Sequence, residues 1–423
     1  MTSSTGDKHS DGLCYCLSVN YESDYGNHID HLYVPEDNLT TVIDGLPAAI
    51  SHDVKPFYHE ISEAGGVTEA RTFDYIKGKL FNDDNQAQTI PVAMQDFIRN
   101  PGHNINIEPR IGRFYPATLF NSENLKTNNP MVPLRIVELM YDEILVNTSH
   151  ALCNYNTSVT LVKLHAPLQE SSSGAHPISV KQVPDFMTGP GMQLRYEDRA
   201  TDFFSDDPYA RADDTIDTEF YSRPRHINHL DTAAQAQLKS VYSELIAAGD
   251  EVLDLMSSIN SHIDERLDIK TLTGLGLNKE ELEANPLLDE VVIHDINQDQ
   301  RLPFDDAGFD TVICSLSIEY ITQPSLLFDE VARILRPGGR FIISFSNRWF
   351  PSKAVQVWNN LHDFERVGLV MEYVIVSAHF GDIESCTYRG FARRVDDKDN
   401  IPLAVPREVV WAQRAETVSI RLR

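Results

Sequence analysis

Two neighbouring stretches, LPFDDAGFDTVIC (residues 302–314) and EVARILRPGGRFIIS (residues 330–344), decide the fold of the C-terminal half. In the first, turn-forming residues lead into a β-branched run, which is typical of a buried strand. The second opens on a helical stripe of apolar residues, and Pro337, Gly338 and Gly339 end that helix before another apolar run. A strand, a helix and a further strand in this order predict a βαβ crossover and a parallel sheet.

The same alternation runs through the chain from about residue 220. Short strands are predicted at EVLDL (residues 251–255), TLTGLGL (residues 271–277) and VVIHDI (residues 291–296), with helical stretches between most of them. In an open parallel sheet, ligands bind beyond the carboxyl ends of the strands. The residues that follow each strand are therefore the candidate site.

The runs EVLDL, HDINQDQRLPFDDAGFDTVICSLSIEYI (residues 294–321) and LLFDEVARILRPGGRFIISFSN (residues 326–347) resemble class I S-adenosylmethionine-dependent methyltransferases that act on small molecules. The resemblance covers roughly residues 220–390. It implies a Rossmann-like α/β domain with a doubly wound, mostly parallel sheet. It also implies that S-adenosyl-L-methionine is the cofactor.

The resemblance assigns a cofactor role to residues at three strand ends. Asp254 would lie under the methionine end of the cofactor. Asp295 would accept the adenine amino group, and Ile296 would stack on the adenine ring. Ser315 would line the floor beneath the sulfonium. A carboxylate is a suitable acceptor for an exocyclic N–H group.

The loop after the first of these strands departs from the family pattern, because it contains no glycine. It reads Met256, Ser257, Ser258, Ile259 and Asn260, where glycines normally let the backbone turn tightly beside the ligand. Serine is small and asparagine tolerates positive φ, so we expect the turn to run through the second serine and the asparagine. The serine hydroxyls and the backbone N–H groups would then bind the cofactor carboxylate, and the methionine side chain would have to point away.

The second predicted strand ends with another departure. Gly276 stands where the family usually has an acidic residue for the ribose hydroxyls, and Asn278 would substitute for it with its amide. Two interpretations therefore stay open. Either the chain is a working methyltransferase with an unusual loop, or cofactor binding has been lost and the methyltransferase fold is a degenerate, non-catalytic scaffold.

The segment FYSRPRHINHLD (residues 220–231) leads into the helix before the first strand, which in this fold caps the cofactor pocket. Arg223 and Arg225 are candidates to bind the methionine carboxylate in a bidentate manner. Tyr221 is a candidate to close over the sulfonium, because an aromatic face attracts a cation. Alternatively, the arginines pair with the acidic stretch that precedes them.

Methyl transfer depends mostly on in-line placement of the reactants, and a base is needed when the acceptor is a neutral hydroxyl or a protonated amine. Five residues near the strand ends are candidates for catalysis. They are His229, His262, Tyr320, Asn347 and Arg348. Each also has a purely structural interpretation, and the sequence does not choose between the two.

The N-terminal half reads mainly as β-structure over residues 13–165. Its runs AQTIPVAMQDF (residues 87–97), IGRFYPATLF (residues 111–120) and EILVNTSHALCNYNTSVTLVKL (residues 143–164) resemble the flap insert and closing strands of a SlyD-type FKBP prolyl isomerase. NLTTVIDGLPAAIS (residues 38–51) resembles the single helix of that family. Four aromatic residues would either line an isomerase pocket or lie in the core. They are Phe57, Tyr58, Phe73 and Tyr75.

Residues 166–195 are rich in Ser, Pro and Gly, and an acidic aromatic segment follows them. The predicted organisation is therefore an FKBP-like β-rich domain at 13–165, a linker with the acidic segment at 166–219, and the methyltransferase-like domain at 220–423. The N-terminal domain is expected to serve as a binding or dimerising module, or as a wall of the methyltransferase pocket. If the methyltransferase fold is degenerate, the chain would instead be an FKBP-like binding or chaperone protein. A homo-oligomer is compatible with this organisation.

The net charge narrows the range of partners. Lys and Arg number 36 and Asp and Glu number 63, which gives a formal charge of -27. Such a surface repels phosphate backbones and anionic membranes, so neither nucleic acid nor membrane is expected as a partner. The five cysteines show no metal-ligand spacing, so no metal site is predicted. The polar N-terminus and the absence of a long apolar run predict a cytoplasmic protein. The predicted function is S-adenosylmethionine-dependent methylation of a small molecule, with a thiol or an amine as candidate acceptors.

Overall fold

The computed structural model describes residues 13–63, 69–79, 89–102, 106–125, 129–165, 178–186, 188–204, 207–393, 403 and 405–415. In chain order the strands are β1 (Leu13–Ser23), β2 (Gly26–Pro35), β3 (Ala70–Tyr75), β4 (Thr89–Ala93), β5 (Phe114–Pro116), β6 (Pro133–Leu139), β7 (Glu143–Asn147), β8 (Thr157–His165), β9 (Glu251–Leu255), β10 (Thr271–Gly276), β11 (Glu290–Ile293), β12 (Phe309–Ser315), β13 (Leu335–Ser346), β14 (Phe380–Arg389) and β15 (Arg407–Arg414). The α-helices are α1 (Glu36–Asp44), α2 (Ala48–Glu63), α3 (Asp217–Phe220), α4 (Thr232–Leu245), α5 (Lys279–Glu283), α6 (Pro324–Ile334), α7 (Gln356–Asn359) and α8 (Asp363–Ser377). Short 3₁₀ turns occur at Met94–Asp96, Ala117–Leu119, Glu123–Leu125, Val180–Gln182 and Ile318–Tyr320.

The C-terminal strands form the predicted α/β sheet. Their order is β11-β10-β9-β12-β13-β15-β14. The first five strands are mutually parallel, and β15 is inserted antiparallel between β13 and β14. Reversal of strand order beside β9 is the feature that opens a ligand crevice in doubly wound sheets. The Rossmann-like architecture predicted for this half is confirmed.

The sheet continues into the N-terminal half, which the sequence did not predict. Strand β14 pairs in parallel with β2, and its Cys386 lies opposite Ile29. The strands β2, β1, β8 and β3 then extend the same sheet in antiparallel fashion to a total of eleven strands. A β-rich N-terminal part is therefore confirmed, whereas its division from the methyltransferase-like half at residues 166–219 stays a prediction. Residues 166–177, in the predicted linker, lie outside the described residues.

A second, separate sheet lies between β3 and β8 in the chain. Its order is β4-β7-β6-β5, and all its pairs are antiparallel. It has its own apolar core, in which the ring of Phe97 contacts those of Tyr115 and Phe120 edge to face, with centroids 5.4 and 5.3 Å apart. Such contacts stabilise a small core beyond the area that they bury.

Helices α1 and α2 replace the single helix predicted at residues 38–51. They are separated by Gly45, Leu46 and Pro47. Proline has no N–H to donate and disfavours a helical conformation in the residue before it, so the first helix ends there. Sequence reasoning also missed β2, α8, β14 and β15. Among the described residues, no helix combines the length and the apolar character that crossing a membrane requires.

Candidate functional site

A cavity of about 210 Å³ lies at the carboxyl ends of β9, β10, β11 and β12. The segment before α4 and the loop after β13 close it from two sides. Twelve of the residues considered for cofactor binding line this cavity, and Arg223 does not. The twelve are Tyr221, Arg225, Asp254, Met256, Ser257, Ser258, Asn260, Gly276, Asn278, Asp295, Ile296 and Ser315.

Four of the five catalytic candidates line the same cavity: His229, His262, Tyr320 and Arg348. The fifth, Asn347, lines a second and larger cavity instead. Asn347 directly follows the last residue of β13, Ser346, and it lines the larger cavity together with Arg348. The structure therefore brings four of these residues together and leaves Asn347 apart.

The loop after β9 turns at a position that the sequence did not predict. Met256 has a φ of 59° and His262 has a φ of 56°, whereas neither Ser258 nor Asn260 has a positive φ. A left-handed conformation costs about 1–2 kcal/mol in a residue with a side chain. The left-handed conformation expected at Ser258 and Asn260 is therefore wrong. The side-chain oxygen of Asn260 instead accepts from the backbone N–H of His262, at 2.8 Å. The Met256 side chain is half-buried, packing on the core while lining the cavity.

The two departures from the family pattern are physically linked at Gly276. A Cβ atom at this position would lie 2.4 Å from the carbonyl oxygen of Ser257. The Ser257 backbone N–H also donates to the carbonyl oxygen of Leu275 at 2.8 Å. The loop therefore lies directly against the end of β10. At position 276 it leaves room only for glycine, and not for the acidic side chain that the family usually has there.

Glu281 joins the loop to the segment before α4. Its carboxylate accepts from the Ser258 hydroxyl and from the Arg225 backbone N–H, each at 2.6 Å. Asn278 also contacts the segment before α4, because its side-chain NH₂ group donates to the carbonyl oxygen of Tyr221 at 2.9 Å. Its side-chain oxygen caps the amino end of α5. The Asn278 side chain thus stabilises the fold on both sides, and its ribose role stays a prediction.

Asp295 presents a free acceptor to the cavity. Its Oδ1 accepts from the backbone N–H groups of Asn297 and Gln298, at 3.1 and 3.3 Å. Its Oδ2 is buried and has no hydrogen-bond partner among the described residues. Burial, together with the charge of Asp217, raises the pKa of Asp295. Since a buried polar atom without a partner is costly, a ligand that donates here would be stabilised.

Arg225 presents a free donor to the same cavity. Its guanidinium carbon lies 4.5 Å from the ring centroid of Phe220, 4.8 Å from that of Phe350 and 5.3 Å from that of Tyr221. Its Nη1 is buried and unpartnered among the described residues. The aromatic rings hold the guanidinium in place, and an acid group would complete its hydrogen bonding. Arg223, the other predicted arginine, is exposed and does not line the cavity.

The histidine and tyrosine candidates differ in what they can accept. His262 is buried, and burial lowers its pKa to about 4, so its imidazole is neutral near pH 7. Its Nδ1 has no partner among the described residues. The Tyr320 hydroxyl already accepts from the Phe350 backbone N–H at 2.9 Å. The exposed His229 lies edge-on to the Phe350 ring at 5.6 Å. His262 is therefore the candidate with an unused proton acceptor.

Sequence reasoning missed Asn297, which links three parts of the site. Its amide donates to Asp217 at 2.8 Å and to the Tyr320 carbonyl oxygen at 3.0 Å, and its oxygen accepts from the Thr322 backbone N–H. Its position after β11 was the available signal. Glu281 and Phe350 were also missed, and no local pattern marks either of them. Among the described residues, no group of three or more metal-ligating side chains is brought together.

Asp254 should make stability depend on pH. It is buried, and its pKa is raised from 3.8 to about 6, mainly by burial. The native state therefore holds the protonated form, and this contribution is present below pH 3.8 and lost as the pH rises through 6. Asp254→Asn should gain about 3 kcal/mol of unfolding free energy relative to wild type between pH 4 and pH 7. Urea unfolding at each pH measures it.

Val252→Ala is the control for this prediction, because Val252 is buried in the same strand and has no titratable group. Its difference from wild type should stay constant over the same pH range. A constant difference for Asp254→Asn as well would contradict the prediction.

Comparison with known proteins identifies this region. Residues 259–343 match the family model described as a methyltransferase domain. This part of the chain is a methyltransferase domain. The match begins within the glycine-less loop, and it covers β11, which precedes Asp295, and β12, which ends at Ser315. The predicted methyltransferase resemblance is thereby confirmed for this region.

Curated relatives agree with this identification. Methyltransferase GfsG of Streptomyces halstedii is 26% identical over 140 residues, which are 31% of this chain and 50% of that protein. The ubiquinone/menaquinone biosynthesis C-methyltransferase UbiE of Laribacter hongkongensis is 33% identical over 91 residues, which are 21% of this chain and 36% of that protein. The chain thus spans half or less of the length of these relatives.

Solved structures resemble the chain more distantly. Phosphoethanolamine N-methyltransferase 2 of Haemonchus contortus, in complex with S-adenosyl-L-methionine, matches with a TM-score of 0.31 and 15% identity, over 44% of this chain and 54% of that one. A methyltransferase of Mesorhizobium loti matches with a TM-score of 0.28 and 16% identity, over 42% and 96% of the two chains.

Proposed function

We propose that this protein is an S-adenosylmethionine-dependent methyltransferase acting on a small molecule. The observation that carries the proposal is the pair of buried, unpartnered groups in one cavity, Asp295 Oδ2 and Arg225 Nη1. One is an acceptor and the other a charged donor, so the complementary ligand donates N–H at one end and carries an acid at the other. S-adenosylmethionine has an adenine amino group and a methionine carboxylate.

The remaining cavity residues fit this ligand. Ile296 offers an apolar side chain beside the acceptor, and Tyr221 offers an aromatic face for a cation. The cavity is smaller than the roughly 300–1,000 Å³ that is usual for ligand sites. Its outer side is formed by exposed residues at 227–229, so a nucleoside-sized ligand would extend past them.

When bound, S-adenosylmethionine supplies an electrophilic methyl group, which the acceptor takes in line as the carbon–sulfur bond breaks. The chain's own residues hold and orient the reactants. Asp295 would fix the adenine end and Arg225 the carboxylate end, which places the methyl group near Ser315. An acceptor that binds as a neutral amine or a thiolate needs no base for its attack. The His262 imidazole would stay neutral, because burial lowers its pKa to about 4, and its Nδ1 would accept a hydrogen bond from an amine.

Isothermal titration with S-adenosylmethionine and with S-adenosylhomocysteine tests the proposal. We expect saturable binding of both, and an upward shift of the melting temperature that grows with ligand concentration. If neither compound binds at millimolar concentration, the chain is not a methyltransferase of this type.

We also propose that the β-rich N-terminal part is an FKBP-like accessory domain. Support comes from the order of its elements, in which the strands β1, β2, β3 and β8 lie against α1 and α2 while a separate sheet interrupts them. Its four candidate aromatic residues favour the non-catalytic interpretation. They pack in or on the core and line neither of the two large cavities: Phe57, Tyr58, Phe73 and Tyr75.

A prolyl-isomerisation assay on the full chain separates the two interpretations that the sequence left open. Little or no isomerase activity together with cofactor binding supports the accessory role. Isomerase activity without cofactor binding would instead favour the FKBP-like protein with a degenerate methyltransferase fold. Cytoplasmic location, a homo-oligomeric state and exclusion of nucleic acid and membranes remain predictions.

A further inference from the structure

A second cavity of about 1440 Å³ lies between the separate sheet and one edge of the large sheet, where the carboxyl ends of β13 and β14 meet the amino end of β15. Much of its lining is apolar or aromatic. These residues include Phe114, Tyr115, Leu119, Met192, Leu361 and Phe364. Among the described residues, Arg348 alone lines both this cleft and the cofactor cavity. The two spaces therefore meet at one side chain.

A buried cluster of charged side chains adjoins this cleft. The charges of Arg366, Arg389 and Arg407 act on the carboxyl group of Glu408. Burial raises the pKa of Glu408 well above its usual range. Asp363 is already paired with Arg366, at 2.5 Å. The charges of Asp30 and Asp185 also act on Arg389.

Arg389 is the member of the cluster that lines the cleft. Its Nη1 donates to the carbonyl oxygens of Asp185 and Thr188, at 3.4 and 3.1 Å. Its Nε is buried and has no partner among the described residues. Its guanidinium carbon lies 4.8 Å from the ring centroid of Phe364. The nearby carboxylate of Asp30 accepts from Tyr21 and Thr387 instead. A donor is therefore left for an anion in an apolar setting.

The sheet register sets the distance between Arg389 and the cofactor side. Ser346 at the end of β13 pairs with Arg407, and Arg407 pairs with Tyr388 near the end of β14. Two interstrand spacings of about 4.8 Å separate these ends, which is roughly 10 Å. Arg348 follows Ser346 by two residues and Arg389 follows Tyr388 by one. The two arginines thus belong to the same edge of the sheet, roughly 10 Å apart at the backbone.

We propose that this cleft binds the methyl acceptor, and that the acceptor is a largely apolar or aromatic small molecule with an anionic group held by Arg389. The methylated atom would then lie beside Arg348, the side chain that lines both cavities. This inference rests on the proposed function, and it names the substrate class for the same site. It also gives the separate sheet a role, since that sheet forms one wall of the cleft.

Two dyes with the same ring system test the anion site. 8-Anilinonaphthalene-1-sulfonate carries a negative charge, and N-phenyl-1-naphthylamine is its neutral counterpart. Fluorescence titration of the full chain gives both affinities. Arg389→Gln should weaken binding of the sulfonate about tenfold or more, because a charge-assisted hydrogen bond in an apolar setting is lost. Binding of the neutral dye should be unchanged.

Arg110→Gln is the matched control, because Arg110 also lines the cleft but is paired with Asp202 at 3.2 Å. It should leave both affinities unchanged. Thr118→Trp fills the cleft from an exposed position and should weaken both dyes. Equal effects of Arg389→Gln on the two dyes, or no effect of Thr118→Trp on either, would overturn the inference.

Two further measurements keep the result decisive. Arg389→Lys retains the charge, so it should bind the sulfonate more tightly than Arg389→Gln does. If Arg389→Gln does not fold, the sulfonate affinity of Arg389→Lys and the salt dependence of the wild type decide whether Arg389 holds the anion. Added NaCl should weaken the sulfonate and not the neutral dye. Titration of Arg389→Gln or Arg389→Lys with S-adenosylhomocysteine should match wild type. Failure of that titration in wild type would remove the proposed function, whereas failure of the dye contrast alone would remove the acceptor class.

Discussion

Asp295→Asn should weaken S-adenosylhomocysteine binding by about tenfold to a hundredfold, which is the usual effect of losing a hydrogen bond to a charged group. The asparagine oxygen can still accept the two hydrogen bonds that Oδ1 accepts from the backbone N–H groups of Asn297 and Gln298. Its NH₂ group would then replace the free acceptor Oδ2 and would face the N–H group of the ligand. The loop should therefore stay folded while the affinity falls. Isothermal titration gives the affinity, and thermal unfolding without ligand checks the fold.

Asp299→Asn is the control in the same loop. Asp299 is exposed, and its Oδ1 accepts from the backbone N–H of Arg301 at 3.1 Å. It does not line the cavity, so the affinity should equal that of wild type. If Asp295→Asn and Asp299→Asn bind the product equally well, Asp295 does not contact the ligand, and the main support for the proposed function is gone.

Gly276→Ala should destabilise the protein by about 3 kcal/mol, at the upper end of what overpacking usually costs. The added Cβ would lie 2.4 Å from the backbone oxygen of Ser257, and a backbone atom cannot rotate away as a side chain can. The loop after β9 would have to move, and with it the hydrogen bonds of Ser257 to Leu275 and Asp254. Urea unfolding should show the loss of stability, and titration should show loss of product binding.

Gly381→Ala is the matched control in β14. A Cβ at Gly381 meets nothing within 4 Å, so this variant should have nearly the stability of wild type. A similar small effect for Gly276→Ala would mean that the loop does not press against β10. The glycine at the end of β10 would then be unrelated to the glycine-less turn.

The Gly276 variant tests how a turn without glycine is accommodated. Met256 takes the left-handed conformation, which costs free energy, and Gly276 supplies the space that the turn lacks. The sequence showed both unusual residues but not their connection, because the contact joins residues that are far apart in the chain. Local patterns carry no information on such a contact.

The sequence by itself determined the α/β architecture and the edge of the sheet where the site lies. Strand and helix periodicity is local, and the carboxyl ends of parallel strands meet at one edge, so Asp254, Asp295 and Ser315 were placed together correctly. The resemblance to class I methyltransferases pointed to the same region of the chain. That resemblance was confirmed over residues 259–343.

Only the tertiary structure decided how the two halves join and what surrounds the site. The pairing of β14 with β2 uses backbone hydrogen bonds, which side-chain patterns do not encode. The cleft that ends at Arg389 is formed by side chains from the separate sheet and from three distant strands. Its electrostatics depend on burial, since burial raises the pKa of Glu408 and lowers the pKa of Arg389. Burial is a property of the packed molecule, and the sequence alone does not supply it.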